Sequence, residues 1–215
     1  MHTILFDLDG TLVDSEWLAK EAYSYGIEKI LERRLTNEER EYLVGKPISL
    51  FLKRFPTEAE QIRFLILEYY ENKIVQIRPY PGVIALLERL NEQGYVMGIV
   101  TSQLKKFAFE ELINNKLDKF FKVVISAEDC DEYKPSPIPL LTAIHQLNTE
   151  ISDCLYIGDQ FTDIQAAHAA NIKSAGALWG EGDITRLSAS SPTYFVKKPE
   201  SLLRILQDKN YSTTF

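Results

Sequence analysis

Asp7 and Asp9 stand two residues apart at the end of an apolar run in ILFDLDGTLVDS, residues 4–15, and Asp14 follows shortly after. Acids crowded where a buried strand ends have two readings. One is a turn, since Asp-Gly is a common hairpin signal. The other is a site that holds a cation and attacks an electrophile. Matching groups lie further along: Thr101 and Ser102 in VTSQ, Lys134 in YKPSP, Asp159 and Asp163 in GDQFTD. Carboxylates with no histidine or thiol nearby suit a hard cation such as magnesium. Asp159 and Asp163 are spaced i, i+4 at a helix start, so they share a face and repel unless a metal relieves them. A hydroxyl and backbone N–H groups at Thr101 and Ser102 make a phosphate cradle. Lys134 would act as a point charge on the same anion, and an aspartate is a known covalent nucleophile in phosphoryl transfer. Two unit charges about 4 Å apart repel by roughly 4 kcal/mol at an effective dielectric near 20. A carboxylate attacking a phosphate therefore needs both the metal and the lysine.

These residues work together only if the fold brings them to one place. HTILFDLDG reads as a short buried strand ending at Gly10. After a helix in YPGVIALLERLNEQGY, ended by Gly94, strand-like YVMGIVT, KVVIS, CLYIGD, SAGALWG and YFV alternate with helical stretches 104–114, 138–147, 161–170 and 200–207. The alternation indicates an α/β fold, a doubly wound parallel sheet forming a Rossmann-like core with helices on both faces. Ligands bind such sheets outside the carboxyl ends of the strands, and all the residues above follow a strand.

Residues 15–79 have a different character. Apolar residues recur at helical spacing, as in Leu18, Ala22, Tyr25 and in Ile62, Leu65, Ile66, Tyr69. Thr36 with Glu39 and Thr57 with Glu60 fit capping boxes, and Gly45-Lys46-Pro47 reads as a helix stop. The expectation is an inserted all-helical cap domain with no strand, residues 15–79, in a catalytic core of residues 1–14 and 80–215. The polar tail KNYSTTF is expected to fray.

Composition narrows the function. The 215 residues are 45% hydrophobic and 26% charged, enough for a real core. A net charge of −7 argues against nucleic-acid binding. Cys130 and Cys154 form no close pairing motif, which suits a reduced, cytoplasmic chain. No signal peptide, membrane-crossing stretch or repeat is evident, and a monomer is the default expectation.

At these motifs the sequence resembles the haloacid dehalogenase-like hydrolase superfamily over nearly the whole chain: DLDGTLVDS, GIVTS, KPSP and GDQFTD match its four motifs in order. The helical insertion resembles the cap of the subgroup containing phosphoglycolate phosphatase and β-phosphoglucomutase. The resemblance implies a magnesium-dependent phosphatase of a small phosphorylated metabolite. By it, Asp7 is the nucleophile and forms an aspartyl-phosphate. Asp9 protonates the leaving oxygen and then activates water. Thr101 and Ser102 hold the phosphoryl oxygens, and Lys134 neutralises the phosphate and orients Asp7. The metal ligands are Asp7, Asp9 through its main-chain carbonyl, Asp159 and Asp163. Lys46 is a candidate cap contact to substrate. The alternatives are a phosphomutase and a non-catalytic phospho-acceptor. Asp9 argues against a dehalogenase, and Gly158 stands where the mutase carries glutamate. Gln160 and Glu132-Tyr133 depart from common family residues beside the site. Asp14 reads as a helix-start acid, His2, His145 and His168 as structural, and Tyr69-Tyr70 as cap core. Phosphoglycolate, pyrophosphate, a sugar phosphate and a nucleotide all remain open as substrates.

Overall fold

The computed structural model describes residues 2–43 and 46–207. Strand β1 (Thr3–Phe6) leads to a short β2 (Val13–Asp14). Four helices follow, α1 (Glu16–Leu31), α2 (Asn37–Leu43), α3 (Ile48–Leu52) and α4 (Ala59–Lys73), and then β3 (Arg78–Pro79). The chain next alternates through α5 (Val83–Glu92), β4 (Val96–Val100), α6 (Lys105–Asn114), β5 (Val123–Ile125), α7 (Ile138–Leu147) and β6 (Cys154–Gly158). It ends with α8 (Phe161–Ala169), β7 (Lys173–Ala177), α9 (Ile184–Ala189), β8 (Tyr194–Val196) and α10 (Ser201–Gln207).

The main sheet has the order β5-β4-β1-β6-β7-β8 and every pairing in it is parallel. Strand β1 lies between β4 and β6, with Leu5 level with Gly98 on one side and Tyr156 on the other. The chain winds outward through β4 and β5, then crosses back to β6, so the order reverses beside β1. That reversal opens a crevice at the carboxyl ends. Side chains of β1 alternate between two cores, as strand pleating requires. Ile4 and Phe6 join the larger one, which continues into the helical block, and Leu5 joins the other.

Several local expectations change. The inserted segment is not free of strand, because Arg78–Pro79 pairs antiparallel with Val13–Asp14 and forms a two-stranded neck. The Thr57–Glu60 capping box does not form. Helix α4 begins after Glu58 at its N-cap, so Glu60 is one position too early to reach back. The short helix α9 was not foreseen. Val44 and Gly45 of the expected helix stop, and the KNYSTTF tail, lie outside the described residues. Lys46 and Pro47 stand between α2 and α3.

The Thr36–Glu39 box does form. Glu39 accepts the Thr36 N–H at 2.8 Å, and its own N–H donates to Thr36 Oγ1 at 3.2 Å. Arg33 also donates to both Glu39 carboxylate oxygens, at 2.9 and 2.7 Å. The Arg33 hydrogen bonds lead in holding the Glu39 pKa down to about 2, against the effect of burial. A depressed folded-state pKa means a contribution that is complete above the ordinary glutamate pKa and lost as pH falls through about 2. Glu39→Gln should therefore cost about 1 kcal/mol at neutral pH, modest because Arg33 is half exposed. Urea titrations should show that deficit shrinking as pH falls below about 4.3, and an unchanged deficit at low pH would rule out the ionic contribution.

Candidate active site

Asp7 is the first residue past β1, and its N–H donates to Ile157 O of the neighbouring strand at 2.8 Å. Lys134 reaches it from the loop after β5. The Lys134 ammonium donates to Asp7 Oδ1 at 2.8 Å, Asp163 Oδ1 at 2.6 Å and the Tyr156 hydroxyl at 3.0 Å, and all four residues are buried. Asp163 is the third residue of α8, where its Oδ2 accepts the Gln160 N–H at 2.9 Å as half of a capping box. One carboxylate thus caps a helix and binds the lysine. The glycine of GDQFTD has a steric reason, since a Cβ on Gly158 would collide with the Asp163 side chain.

Asp159 follows β6 directly. Thr11 donates to its Oδ1 at 2.7 Å and the Gln160 side-chain amide to its Oδ2 at 2.5 Å. Gln160 therefore holds two acids, Asp159 through its side chain and Asp163 through its backbone. Gly10 adopts φ +78°, and a Cβ there would lie 2.7 Å from Asp159 Oδ2, so a side chain is excluded by both conformation and space. The turn that carries Asp7, Asp9 and Thr11 can thus approach β6 closely.

Carboxylate oxygens of Asp7, Asp159 and Asp163 lie within 4.8 Å of one another. Burial raises the Asp7 pKa to about 8, with Asp163 adding to it and Lys134 opposing it. Burial, then Asp7 and Asp163, push Asp159 well above the ordinary carboxylate range. Burial works against the Lys134 ammonium, but Asp163 and Asp7 outweigh it and hold its pKa above normal. This arrangement is under electrostatic load, and the donor set is all oxygen. Both facts fit a hard divalent cation held by these three residues.

The Asp9 carboxylate stands outside that cluster. It accepts from Ser15 Oγ at 2.6 Å, Thr101 Oγ1 at 3.2 Å and the Gln103 side-chain amide at 3.4 Å. Burial raises its pKa, with those hydrogen bonds pulling the other way. Thr101 does not cap α6, whose N-cap is Leu104; its hydroxyl faces Asp9 and also accepts the Gln103 N–H at 3.0 Å. Gln103 donates onward to the Tyr70 hydroxyl at 3.2 Å, and Tyr70 donates to Glu111 Oε1 at 2.7 Å. Glu111 is fully buried in α6, and its Oε2 has no partner among the described residues. Burial drives its pKa well above the ordinary value.

The two groups of acids open onto a cavity of roughly 270 Å³ between the sheet edge and the helical block. Asp7, Asp9, Lys134, Asp163, Thr101 and Ser102 line its floor. The helical block supplies mainly apolar wall, from Tyr23, Leu35, Ile48, Ile66, Leu67 and Tyr70, together with Glu16, Lys20, Arg40 and Lys46. Lys46 lies 3.9 Å from the Tyr42 ring centroid. Asp14 is exposed in the neck, and Arg54 pairs with Glu38 at 2.6 Å. The roles of Tyr156, Gln103 and Glu111 were not anticipated, and Tyr70, read as cap core, also turns its hydroxyl to the site. Tyr156 is a buried tyrosine on a strand ending in a candidate ligand. Such a hydroxyl needs a polar partner, which is the signal that could have found it.

A family model described as haloacid dehalogenase-like hydrolase matches residues 4–177. A phosphoglycolate phosphatase of Aquifex aeolicus is 30% identical over 215 residues, spanning 97% of this chain and 98% of its own. A pyrophosphatase PpaX of Anoxybacillus flavithermus is 30% identical over 210 residues, spanning 96% and 97%. The crystal structure of a hydrolase from Pseudomonas syringae superposes with a TM-score of 0.84 at 28% identity, over 98% of this chain and all of the other.

The carboxylate cluster has a consequence that can be measured without substrate. Millimolar magnesium should raise the melting temperature, by the equivalent of about 2.7 kcal/mol at a hundredfold excess over Kd. Asp159→Asn should lose most of that rise. An equal rise in the variant would show that these carboxylates do not bind the ion.

Proposed function

The chain belongs to the haloacid dehalogenase-like hydrolase family, and from that premise we propose that it is a magnesium-dependent phosphatase releasing phosphate from a small phosphorylated metabolite through an aspartyl-phosphate on Asp7. The observation that carries this reading is the buried Asp7–Lys134–Asp163 cluster opening, beside Asp9, onto a cavity between the sheet edge and the helical block. Hydrolase and phosphatase follow from the family. The metal, the residue roles and the substrate are the proposal.

In the first half-reaction an Asp7 carboxylate oxygen attacks phosphorus, the bond from phosphorus to the leaving oxygen breaks, and Asp9 gives that oxygen its proton. In the second, water attacks phosphorus, Asp9 takes the water's proton, the bond from Asp7 to phosphorus breaks and phosphate departs. The environment of Asp9 suits both halves. Burial favours the protonated acid, while Ser15, Thr101 and Gln103 favour the carboxylate. Lys134 fixes Asp7 in place and offsets the incoming charge. Thr101 and Ser102 lie on the cavity floor to bind phosphoryl oxygens, and Lys46 to meet the substrate from the cap. When bound, the cation supplies the positive charge that keeps Asp7 ionised beside Asp159 and Asp163 and opposes the charge of the phosphoryl oxygens.

Residues 15–79 act as the cap and residues 1–14 and 80–215 as the core, with the β2–β3 neck between them. Gly158 supports hydrolysis over isomerisation, because the mutase glutamate has no room against Asp163 as it sits here. The acidic net charge supports a chain that binds no nucleic acid, and the free Cys130 and Cys154 support a cytoplasmic location, with a monomer as the default state. Among the described residues no helix is long and apolar enough to cross a membrane.

Asp7→Asn should lower kcat for phosphate release by at least about 10³-fold, and unchanged turnover would end the mechanism. Asp9→Asn should lower kcat by roughly 10²–10⁴-fold. Because the Asp9 pKa is raised and the first half needs the proton, wild-type activity should fall as pH rises through that pKa. Asp9→Asn should remove that limb from the profile.

A further inference from the structure

We propose that the preferred leaving group is a ring-sized, largely apolar alcohol, so that the substrates are organic phosphomonoesters and neither pyrophosphate nor phosphoglycolate is a good one. The proposal rests on the phosphatase reading and adds the chemistry of the group that departs.

Size is the first argument. An apolar cavity of about 150 Å³ accepts a benzene ring. The roughly 270 Å³ here therefore holds a phosphoryl group and a ring together. Glycolate or a second phosphoryl group would leave that apolar wall facing water. The wall itself is the second argument. The side chains that the cap turns toward the phosphoryl floor include Tyr23, Leu35, Ile66 and Leu67, and apolar surface of that kind gains from covering by an apolar group.

Charge is the third. Pyrophosphate brings a second highly charged phosphoryl group into whatever space the alcohol would fill. Lys134 is already committed to Asp7 and Asp163, and Lys20 pairs with Glu181 at 3.1 Å. Arg40 and Lys46 are the lining cations with no carboxylate partner among the described residues. Against them stands Glu16, a carboxyl group in the same wall with no hydrogen bond among the described residues. Desolvating a polyanion against Ile66 and Leu67 returns no hydrogen bonds for those it loses.

The test is kcat/KM for phosphate release, with magnesium, from benzyl phosphate, ethyl phosphate, phosphoglycolate and pyrophosphate. Benzyl and ethyl phosphate match in charge, and neither alcohol is an activated leaving group. Benzyl phosphate should exceed each of the others by at least about tenfold, the range a hydrophobic pocket can supply. Leu67→Asn should erase most of the benzyl-to-ethyl ratio and Leu67→Met should keep it. Pyrophosphate or phosphoglycolate matching benzyl phosphate, or a ratio unmoved by Leu67→Asn, would overturn the inference and leave the phosphatase reading standing. No phosphate released from any of the four would overturn both.

Discussion

The site depends on one buried ammonium group. Lys134 joins Asp7, past the end of β1, to Asp163, in the first turn of α8. Without it the carboxylates would face one another in a dry crevice, where two such charges about 4 Å apart repel by roughly 4 kcal/mol even at an effective dielectric of 20. A buried ion pair seldom adds much stability, but removing one partner is costly because the other charge stays behind. The cluster is therefore best understood as a device for holding reactive charge in place. It constrains the topology around it. Strands β1 and β6 must be neighbours for Asp7 and Asp159 to converge, and the loop after β5 must cross to their ends. Tyr156, fully buried at the middle of β6, accepts the third Lys134 hydrogen bond and sits 2.9 Å from Val100 O, tying the lysine to β4 as well.

The turn after β1 has a second task, because the chain leaves the sheet there to build the helical block. It is clasped from both sides. Tyr80, where the chain returns, donates its N–H to Leu12 O at 3.0 Å. The loop after β7 reaches in with Trp179 Nε1 to Thr11 O at 2.8 Å and the Glu181 N–H to Gly10 O at 3.2 Å. A turn held by its own return strand and by a distant loop keeps Asp7, Asp9 and Thr11 in register while a large insertion hangs from it. The absence of a side chain at Gly10 makes the close approach to Asp159 possible.

This anatomy shows why some parts were legible in the sequence and others were not. Asp7 and Asp159 each lie just beyond a strand end and Lys134 in the loop that follows β5, so the strand–helix alternation placed them on one rim. Helix α7 was read to the residue, and β8 likewise, because their apolar runs have clear stops. Where a residue serves two environments, the reading failed. Tyr70 follows the helical apolar spacing and packs accordingly, yet its hydroxyl reaches Glu111 and Gln103. Glu110 and Glu111 are adjacent acids in one amphipathic helix, and local pattern cannot say that the second is buried. Thr101 has the look of an N-cap, but α6 starts three residues later than that role needs and its hydroxyl turns to Asp9. The neck strand Arg78–Pro79 is too short to show periodicity and exists through its partner Val13–Asp14.

The two aspartates of DLDGT differ most in who holds them. Asp7 is fixed by core groups, the Ile157 carbonyl and the Lys134 ammonium. Asp9 is held by Ser15 at the entrance to the helical block, and by Thr101 and Gln103 from the loop after β4. Gln103 touches Tyr70 of α4 in turn. Asp7, the proposed nucleophile, thus belongs to the sheet edge. Asp9, the proposed acid and base, sits on the seam, and its hydrogen bonds are complete when α1 and α4 rest where they do in this structure. A carboxyl group whose surroundings come from both sides of a cavity takes its proton affinity from both. The same seam that borders the cavity therefore sets the surroundings of the proposed acid.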